Sequence, residues 1–373
     1  MKKLAFVLFK YFPYGGLQRD MLKIARHCQE QGCEITVFTM KWDGPRPTGI
    51  NVVELGEKGF TNIGAVTNFV RDFQLNIARE KFAGVVGFNK MPGLDIYYAA
   101  DICFSREVRE NRHPWFRLTR RCRGYLNLEQ KVLAPPSKTR VLTISPYQIK
   151  DFRRCHHTED DRMFLLPPGV DKKFRRPKDY QKVRCQIRES MGLQGEEKLL
   201  LQIGSGFRTK GLKRSMKAIA SLPSEERRRL KFKVIGRDRN RGYQRLAETL
   251  KINHITEFLP PREDLETCLF AADLLLHPSL RESAGMVLLE AMTAGVPVIC
   301  SGVCGYADYI NKAQAGIVLP EPFSQKTFNE TLNSMLNAGK LEEYSRRGQL
   351  FAEENDIYSL HQTAADWILQ WTS

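Results

Sequence analysis

The chain has little of what marks a membrane-spanning, disulfide-bonded or metal-centred protein. Its longest apolar runs, such as Leu274-Leu275-Leu276, are far shorter than the ~20 residues that a bilayer span needs. Nine cysteines are scattered at odd spacings with no Cys-x-x-Cys pair, so free thiols are expected and neither a disulfide framework nor a zinc site. No Asp-x-Asp pair is present to hold a metal-bound donor, and His113, His156, His157 and the other histidines lack metal-ligand spacing. No Gly-x-Gly-x-x-Gly turn follows the first strand of either half, which argues against a nicotinamide dehydrogenase. After Met1-Lys2-Lys3 the apolar stretch is only Leu4 to Phe9, which reads as a strand and not as a secretion signal. A cytoplasmic protein is expected.

What is present is ordinary globular composition with an unusual charge. The chain has 373 residues, 42% hydrophobic and 10% aromatic, with a formal net charge of +16. That length predicts two domains. The charge suits nucleic acid, an anionic membrane face or anionic substrates.

Strand and helix patterns alternate along both halves, which predicts parallel, doubly wound sheets. In the first half, strands fit Leu4–Phe9, Glu34–Thr39, Asn51–Leu55, Gly84–Phe88 and Arg140–Ser145. Leu166-Pro167-Pro168-Gly169-Val170 interrupts the pattern and marks a linker. Six more strands follow, at Lys198–Gly204, Lys231–Gly236, Ile255–Leu259, Asp273–His277, Val296–Ser301 and Gly316–Leu319. The expected division is a Rossmann-like domain over 1–167 and a second over 168–355. An amphipathic last segment, 356–373, has Leu360, Ala364, Trp367, Ile368 and Trp371 at helical spacing and is suited to packing back on the first domain.

Two segments carry chemistry. In Glu282-Ser283-Ala284-Gly285-Met286-Val287-Leu288-Leu289-Glu290, a strand ended by Pro278 leads into a helix predicted over Gly285–Ala294, apolar apart from Glu290 and Thr293. A carboxylate there is costly unless something polar meets it. Backbone N–H groups at Gly285 suit phosphate, and Glu290 lies one turn, about 6 Å, beyond Met286, which matches the reach from a pyrophosphate to its ribose. The second segment, Gly204-Ser205-Gly206-Phe207-Arg208-Thr209-Lys210-Gly211, follows a strand, where open α/β sheets bind ligands. Arg208 and Lys210 supply positive charge for phosphates. Each segment also fits an ordinary strand–turn–helix, but together they suit one nucleoside diphosphate.

A Glu, seven residues and a second Glu, with Gly three after the first, resembles the donor signature of retaining GT-B glycosyltransferases of family 4. Gly15-Gly16 resembles the glycine pair after that family's first strand. Longer strings are similar to the lipopolysaccharide-core glucosyltransferases: Lys10-Tyr11-Phe12-Pro13-Tyr14-Gly15-Gly16-Leu17-Gln18-Arg19-Asp20, Gly87-Phe88-Asn89-Lys90-Met91-Pro92-Gly93-Leu94-Asp95, Ala99-Ala100-Asp101, Pro167-Pro168-Gly169 and Val303-Cys304-Gly305-Tyr306-Ala307. The resemblance implies an α/β GT-B fold, with two Rossmann-like domains facing each other across a cleft, the first for acceptor and the second for nucleotide-sugar donor. It implies transfer of a hexose, most simply glucose, from a UDP-sugar to an inner-core heptose of a heptosylated lipid A-core acceptor, and the missing Asp-x-Asp pair makes a metal-independent reaction the expectation. UDP-galactose or a UDP-N-acetylhexosamine as donor, and another envelope acceptor, remain open alternatives.

By that resemblance Glu290 binds the ribose, Glu282 the sugar hydroxyls, and Arg208 and Lys210 the departing pyrophosphate. Gly15, Gly16, Ala284, Gly285, Met286, Val287 and, more weakly, Arg262 line the donor site. Asp101 is the acid/base candidate. One departure is notable: Thr209 stands directly before Lys210, where the family has Arg, and Arg208 lies one residue earlier. The stretch from Arg106 to Lys131 has eight basic and three acidic residues, among them Arg117, Arg120, Arg121 and Arg123, interleaved with Trp115, Phe116, Leu118 and Tyr125. Such a segment suits an anionic membrane surface, and by composition nucleic acid as well. The resemblance favours the cytoplasmic face of the inner membrane, with peripheral attachment and no nucleic-acid partner.

Overall fold

The structure is a computed structural model that describes residues 1–13, 15–337 and 339–372. Tyr14 of the quoted glycine-pair string and Ser373 of the last segment lie outside the described residues, as does Ala338. The chain divides into two compact units, Met1–Pro167 with Ser359–Ser373, and Pro168–Tyr358.

The first unit runs β1 (Lys2–Tyr11), α1 (Gly16–Glu30), β2 (Cys33–Trp42), β3 (Asn51–Glu54), α2 (Asn62–Ile77), β4 (Gly84–Gly87), β5 (Ile96–Ala99), α3 (Phe104–Asn111), α4 (Arg120–Leu133), β6 (Arg140–Thr143), α5 (Pro146–His156) and β7 (Met163–Leu165). Its strands form a parallel sheet in the order β3-β2-β1-β4-β5-β6-β7. Both faces of such a sheet are covered, so the strands read as nearly continuous apolar runs: Leu4 to Leu8 are fully buried. Strands β5 and β7 were not predicted. Met163–Leu165, at three residues, is too short for periodicity to register, whereas Ile96–Ala99 is as long as the predicted β3, β4 and β6, so its length does not account for the omission.

The second unit runs α6 (Tyr180–Ser190), β8 (Lys198–Ile203), α7 (Leu212–Ala220), α8 (Ser224–Arg228), β9 (Leu230–Ile235), α9 (Arg241–Thr249), β10 (Thr256–Leu259), α10 (Leu265–Ala271), β11 (Leu274–His277), α11 (Met286–Thr293), β12 (Val298–Ser301), α12 (Ala307–Ala313), β13 (Gly316–Leu319), α13 (Gln325–Asn337) and α14 (Leu341–Glu354). The six-stranded parallel sheet has the order β10-β9-β8-β11-β12-β13. All six strands expected from the sequence are present, within a residue or two at their ends.

The last helix, α15 (Leu360–Trp371), belongs to the first unit. Trp367 and Trp371 pack against Phe164 with ring centroids 4.9 and 4.6 Å away, and His361 Nε2 lies 2.9 Å from Asp20 Oδ1 on α1. Among the described residues no helix is long and apolar enough to cross a membrane. All nine cysteines carry free thiols.

In each sheet the strand order reverses once, between β1 and β4 and between β8 and β11. Chains leaving the carboxyl ends of such a strand pair part in opposite directions and open a crevice, where ligands of these folds bind. The loops after β8 and β11 are the two segments that carry the chemistry.

Candidate active site

The second unit builds its crevice from two glycine-dependent turns. Gly211 precedes α7 at φ +73°, and a Cβ there would overlap the Pro278 carbonyl, so only glycine lets the two loops meet. Gly285 precedes α11 at φ +87°, with a prospective Cβ 3.2 Å from Glu282 Cγ. The β8 loop is pinned from β9's end: Asp238 Oδ2 accepts from Gly206 N at 2.5 Å and Ser205 Oγ from Arg237 N at 3.1 Å.

These turns bring Lys210 and Glu282 together although 72 residues separate them: Lys210 Nζ donates to Glu282 Oε2. His277, at the end of β11, lies with Nε2 3.2 Å from the same oxygen. Burial pushes the Glu282 carboxyl up, but the His277 hydrogen bond and the Lys210 charge outweigh it and hold the pKa at about 2. His277 is fully buried, and burial lowers its pKa despite the hydrogen bond to Glu282. A neutral ring then donates through Nε2, and Nδ1 has no partner among the described residues. The pair is not sealed: the side chains of Lys210 and Glu282 are 21% and 13% exposed, so a ligand can compete for them.

Beyond Gly285, Ala284 is buried, Met286 and Val287 are half-buried at the opening turn of α11, and Glu290 is buried one turn on. Two expected members stand elsewhere. Arg208 is exposed and lines a cavity with Tyr243, Leu280 and Phe323, and the charges acting on Glu282 are those of Lys210 and His277. Lys210 is not among the residues that line that cavity, and among the described residues no contact joins Arg208 to the Lys210–Glu282 pair. Arg262 is held by Asp264 through Nε–Oδ1 at 2.9 Å and Nη2–Oδ2 at 2.7 Å. That pair is 35% and 46% exposed, more open than the Lys210–Glu282 pair, so a ligand can compete for it as well.

In the first unit Gly15 caps α1 and Gly16 opens it, and a Cβ on Gly16 would meet nothing within 4 Å. Asp101 is exposed just past β5. It lines a cavity of about 390 Å³ with Phe9, Lys90, Phe104, Arg112, Arg121 and Tyr125. Gln148 holds that turn, donating to the Ala99 and Asp101 carbonyls at 2.6 and 3.0 Å.

Beneath the cavity lies a cluster that the sequence did not announce. Glu129 is fully buried, and its carboxylate accepts from Lys90 Nζ at 2.5 Å, Phe104 N and Ser105 N at 2.7 Å each, and His156 Nε2 at 2.8 Å. Lys90 also donates to the Ile102 carbonyl at 2.8 Å. Burial raises the Glu129 carboxyl, but Lys90 and His156 more than offset it and hold it well below its usual range. Cys103, Glu129 and His156 offer atoms within 4.8 Å of one another, as a metal site would. The donor set does not fit an ion, because protein donors already occupy the carboxylate and burial pushes the Cys103 thiol far up.

The basic segment is exposed at Arg117, Arg120, Arg121 and Arg123, with Trp115 and Leu118 72% and 63% exposed beside them. Its three acids pair elsewhere, Glu110 with Arg106 and Arg154, Glu107 with Arg112 and Glu129 with Lys90, so among the described residues none pairs with these four arginines.

Two Rossmann-like sheets, with a lysine–glutamate pair at the second sheet's switch point, define a GT-B glycosyltransferase. Residues 183–349 match the family model described as "Glycosyl transferases group 1". The chain is 39% identical over 368 residues to the lipopolysaccharide glucosyltransferase WaaG of Escherichia coli (strain K12), covering 98% of each chain. It belongs to the WaaG family of glycosyltransferases. The crystal structure of a WaaG superposes with a TM-score of 0.94 at 39% identity, over 98% of this chain and 99% of that one. Anabaena Alr3699/HepE, solved with UDP-glucose, shares the fold at 17% identity and a TM-score of 0.76, over 99% of this chain and 100% of that one.

Proposed function

We propose that this enzyme transfers a hexose, glucose in the simplest case, from a UDP-sugar to an inner-core heptose of lipopolysaccharide, with retention at the anomeric carbon as in family 4. The observation that carries the reading is the Lys210–Glu282–His277 constellation at the switch point of a chain similar to WaaG from end to end. In the reaction the bond from the sugar C1 to the diphosphate oxygen breaks, and a bond from C1 to the heptose oxygen forms. The heptose hydroxyl proton ends on the departing diphosphate or the solvent. Negative charge develops on the diphosphate, and a positive group fixed beside it lowers the barrier. Lys210 and the opening turn of α11 at Gly285, Met286 and Val287 supply that charge and those N–H groups. Glu290 takes the ribose hydroxyls. Glu282 stays ionised at neutral pH and accepts hydrogen bonds from the sugar, while His277 fixes its orientation.

Asp101 acts on the acceptor side, where its cavity combines Lys90, Arg112 and Arg121 with aromatic walls. That lining suits a sugar ring carrying anionic groups. Arg117, Arg120, Arg121 and Arg123, with Trp115 and Leu118, rest on the anionic cytoplasmic face of the inner membrane, where the lipid-borne acceptor is presented. No metal and no nucleic acid enter this scheme.

The test is a donor panel of UDP-glucose, UDP-galactose and UDP-N-acetylglucosamine by calorimetry, followed by transfer onto core extracted from a strain lacking this step. One added hexose with an α linkage by mass spectrometry and NMR is expected. Addition of an N-acetylhexosamine, an inverted linkage or no transfer would overturn the reading.

A further inference from the structure

On the β8 loop Lys210 pairs with Glu282, whereas Arg208 lines a separate concavity. That cavity, of about 470 Å³, is lined by Arg208, Lys213, Arg214, Lys217, Leu280 and Phe323. Lys213 and Lys217 stand one turn apart on α7 and share a side of it. Both are exposed, and among the described residues neither they nor Arg208 has a carboxylate within ion-pairing distance. Arg214 is the anchored member. Its guanidinium lies 3.6 Å from the Phe323 ring centroid and donates to the Pro278 and Ser279 carbonyls at 3.1 Å each. Burial lowers its pKa, countered only in part by the charge of Glu321.

Four cations around one concavity repel each other, and the low-dielectric walls focus their field on whatever occupies it. An anion relieves that repulsion. A phosphate monoester meets the planar guanidinium edge and the mobile ammonium groups best, since it offers three acceptor oxygens and close to two charges. The rim is not uniformly polar, because Leu280 is 42% exposed beside the Phe323 ring. A free phosphate gains nothing from that apolar rim, whereas a headgroup attached to hydrocarbon does.

We propose that this cavity is a second lipid contact of the enzyme, a site on the second unit for the phosphate monoester of a phosphorylated lipid headgroup. It is separate from the lysine–glutamate pair, since neither Lys210 nor Glu282 lines it. It is also independent of the basic segment in the first unit, whose arginines contact the general negative charge of a surface. The outer cavity reads the phosphate itself.

The test uses the full-length protein and phosphatidylcholine vesicles doped with either phosphatidic acid, a monoester, or phosphatidylglycerol, a diester, at matched surface charge. The wild type is expected to bind the phosphatidic acid vesicles about tenfold more tightly. Lys213→Glu with Lys217→Glu should abolish that preference and leave UDP-sugar hydrolysis in solution within about twofold of wild type, because neither lysine is part of the donor machinery. Equal wild-type binding to both vesicles, or a preference that survives in the double variant, overturns the proposal. Loss of UDP-sugar hydrolysis in that variant overturns it too, by merging the cavity with the donor site. About 10 mM inorganic phosphate at constant ionic strength should leave the preference standing. Its disappearance would assign the cavity to free phosphate instead.

Discussion

Two buried carboxylates, one in each unit, have nearly the same partners on paper and different consequences. Glu129 meets a lysine, a histidine and two backbone N–H groups, and its side chain has no exposure at all. Glu282 meets a lysine and a histidine but no backbone N–H among the described residues, and 13% of its side chain is open. A carboxylate with every lone pair engaged fixes the residues around it. One that shares two donors at the edge of a crevice can exchange them for a substrate's hydroxyls. Glu129 is therefore a positioning residue, holding the start of α3 and Lys90 under the Asp101 cavity, and Glu282 is a contact residue.

Glu129→Ala breaks this comparison with the largest effect. Removing one partner of a buried ion pair costs about 3–5 kcal/mol, which in a unit of this size lowers the melting temperature by about 10 °C. Calorimetry should show the loss, with binding of UDP-sugar retained below the transition. A melting temperature unchanged in this variant would make Glu129 dispensable and dissolve the contrast.

Glu282→Ala should do the reverse. Turnover of UDP-sugar should fall by about 100-fold, the size of loss seen when a single transition-state contact is removed, while the melting temperature moves by only a few degrees. Wild-type turnover in that variant would remove Glu282 from the site.

Arg120→Glu with Arg121→Glu sharpens the contrast from outside both networks. At about 1 kcal/mol for each basic residue lost, binding to anionic vesicles should weaken by roughly 30-fold. Binding of UDP by calorimetry should not change. Vesicle binding that persists would move the membrane contact elsewhere.

The smallest effect is on pH dependence. Glu129 is held below its ordinary value in the fold, so the unfolded chain binds more protons in acid. The stability it contributes is present above the unfolded carboxylate value of about 4.3 and is lost as pH falls below that. Glu282 behaves alike, with its contribution lost between about 4.3 and the folded value of about 2. The melting temperature of Glu129→Gln should therefore fall less steeply than that of wild type below about pH 4.5, since the amide takes up no proton. Parallel slopes would show that Glu129 is not held ionised by the fold.

Much of the fold was legible because its signals are local. Six strands of the second unit follow from short apolar runs between helical stretches, and Gly285 with Pro278 marks the turn between β11 and α11. Strand β7 escaped because three residues carry no period, while β5 is no shorter than strands that were found and its omission is not a matter of length. The site was legible as a set of residues but not as an arrangement. Arg208 and Lys210 look equivalent along the chain, yet only Lys210 meets Glu282. His277 was read only as the end of a strand, although its place next to Pro278 at a strand's carboxyl end was a usable signal.

The sequence by itself determined two doubly wound sheets, the glycines that let their loops turn, and the lysine and glutamates available for a nucleotide-sugar. Those follow from hydrophobic period and backbone permissiveness, which act over a few residues. The tertiary structure alone decided which charges meet. Strand order placed β8 beside β11, and so set Lys210 against Glu282 across 72 residues. Packing of α4 against α3 and α5 gathered Lys90, Glu129 and His156 from 39 and 27 residues apart. Contacts at that range depend on sheet topology and on the burial that makes an unpaired charge costly, and neither is written in any one stretch of the chain.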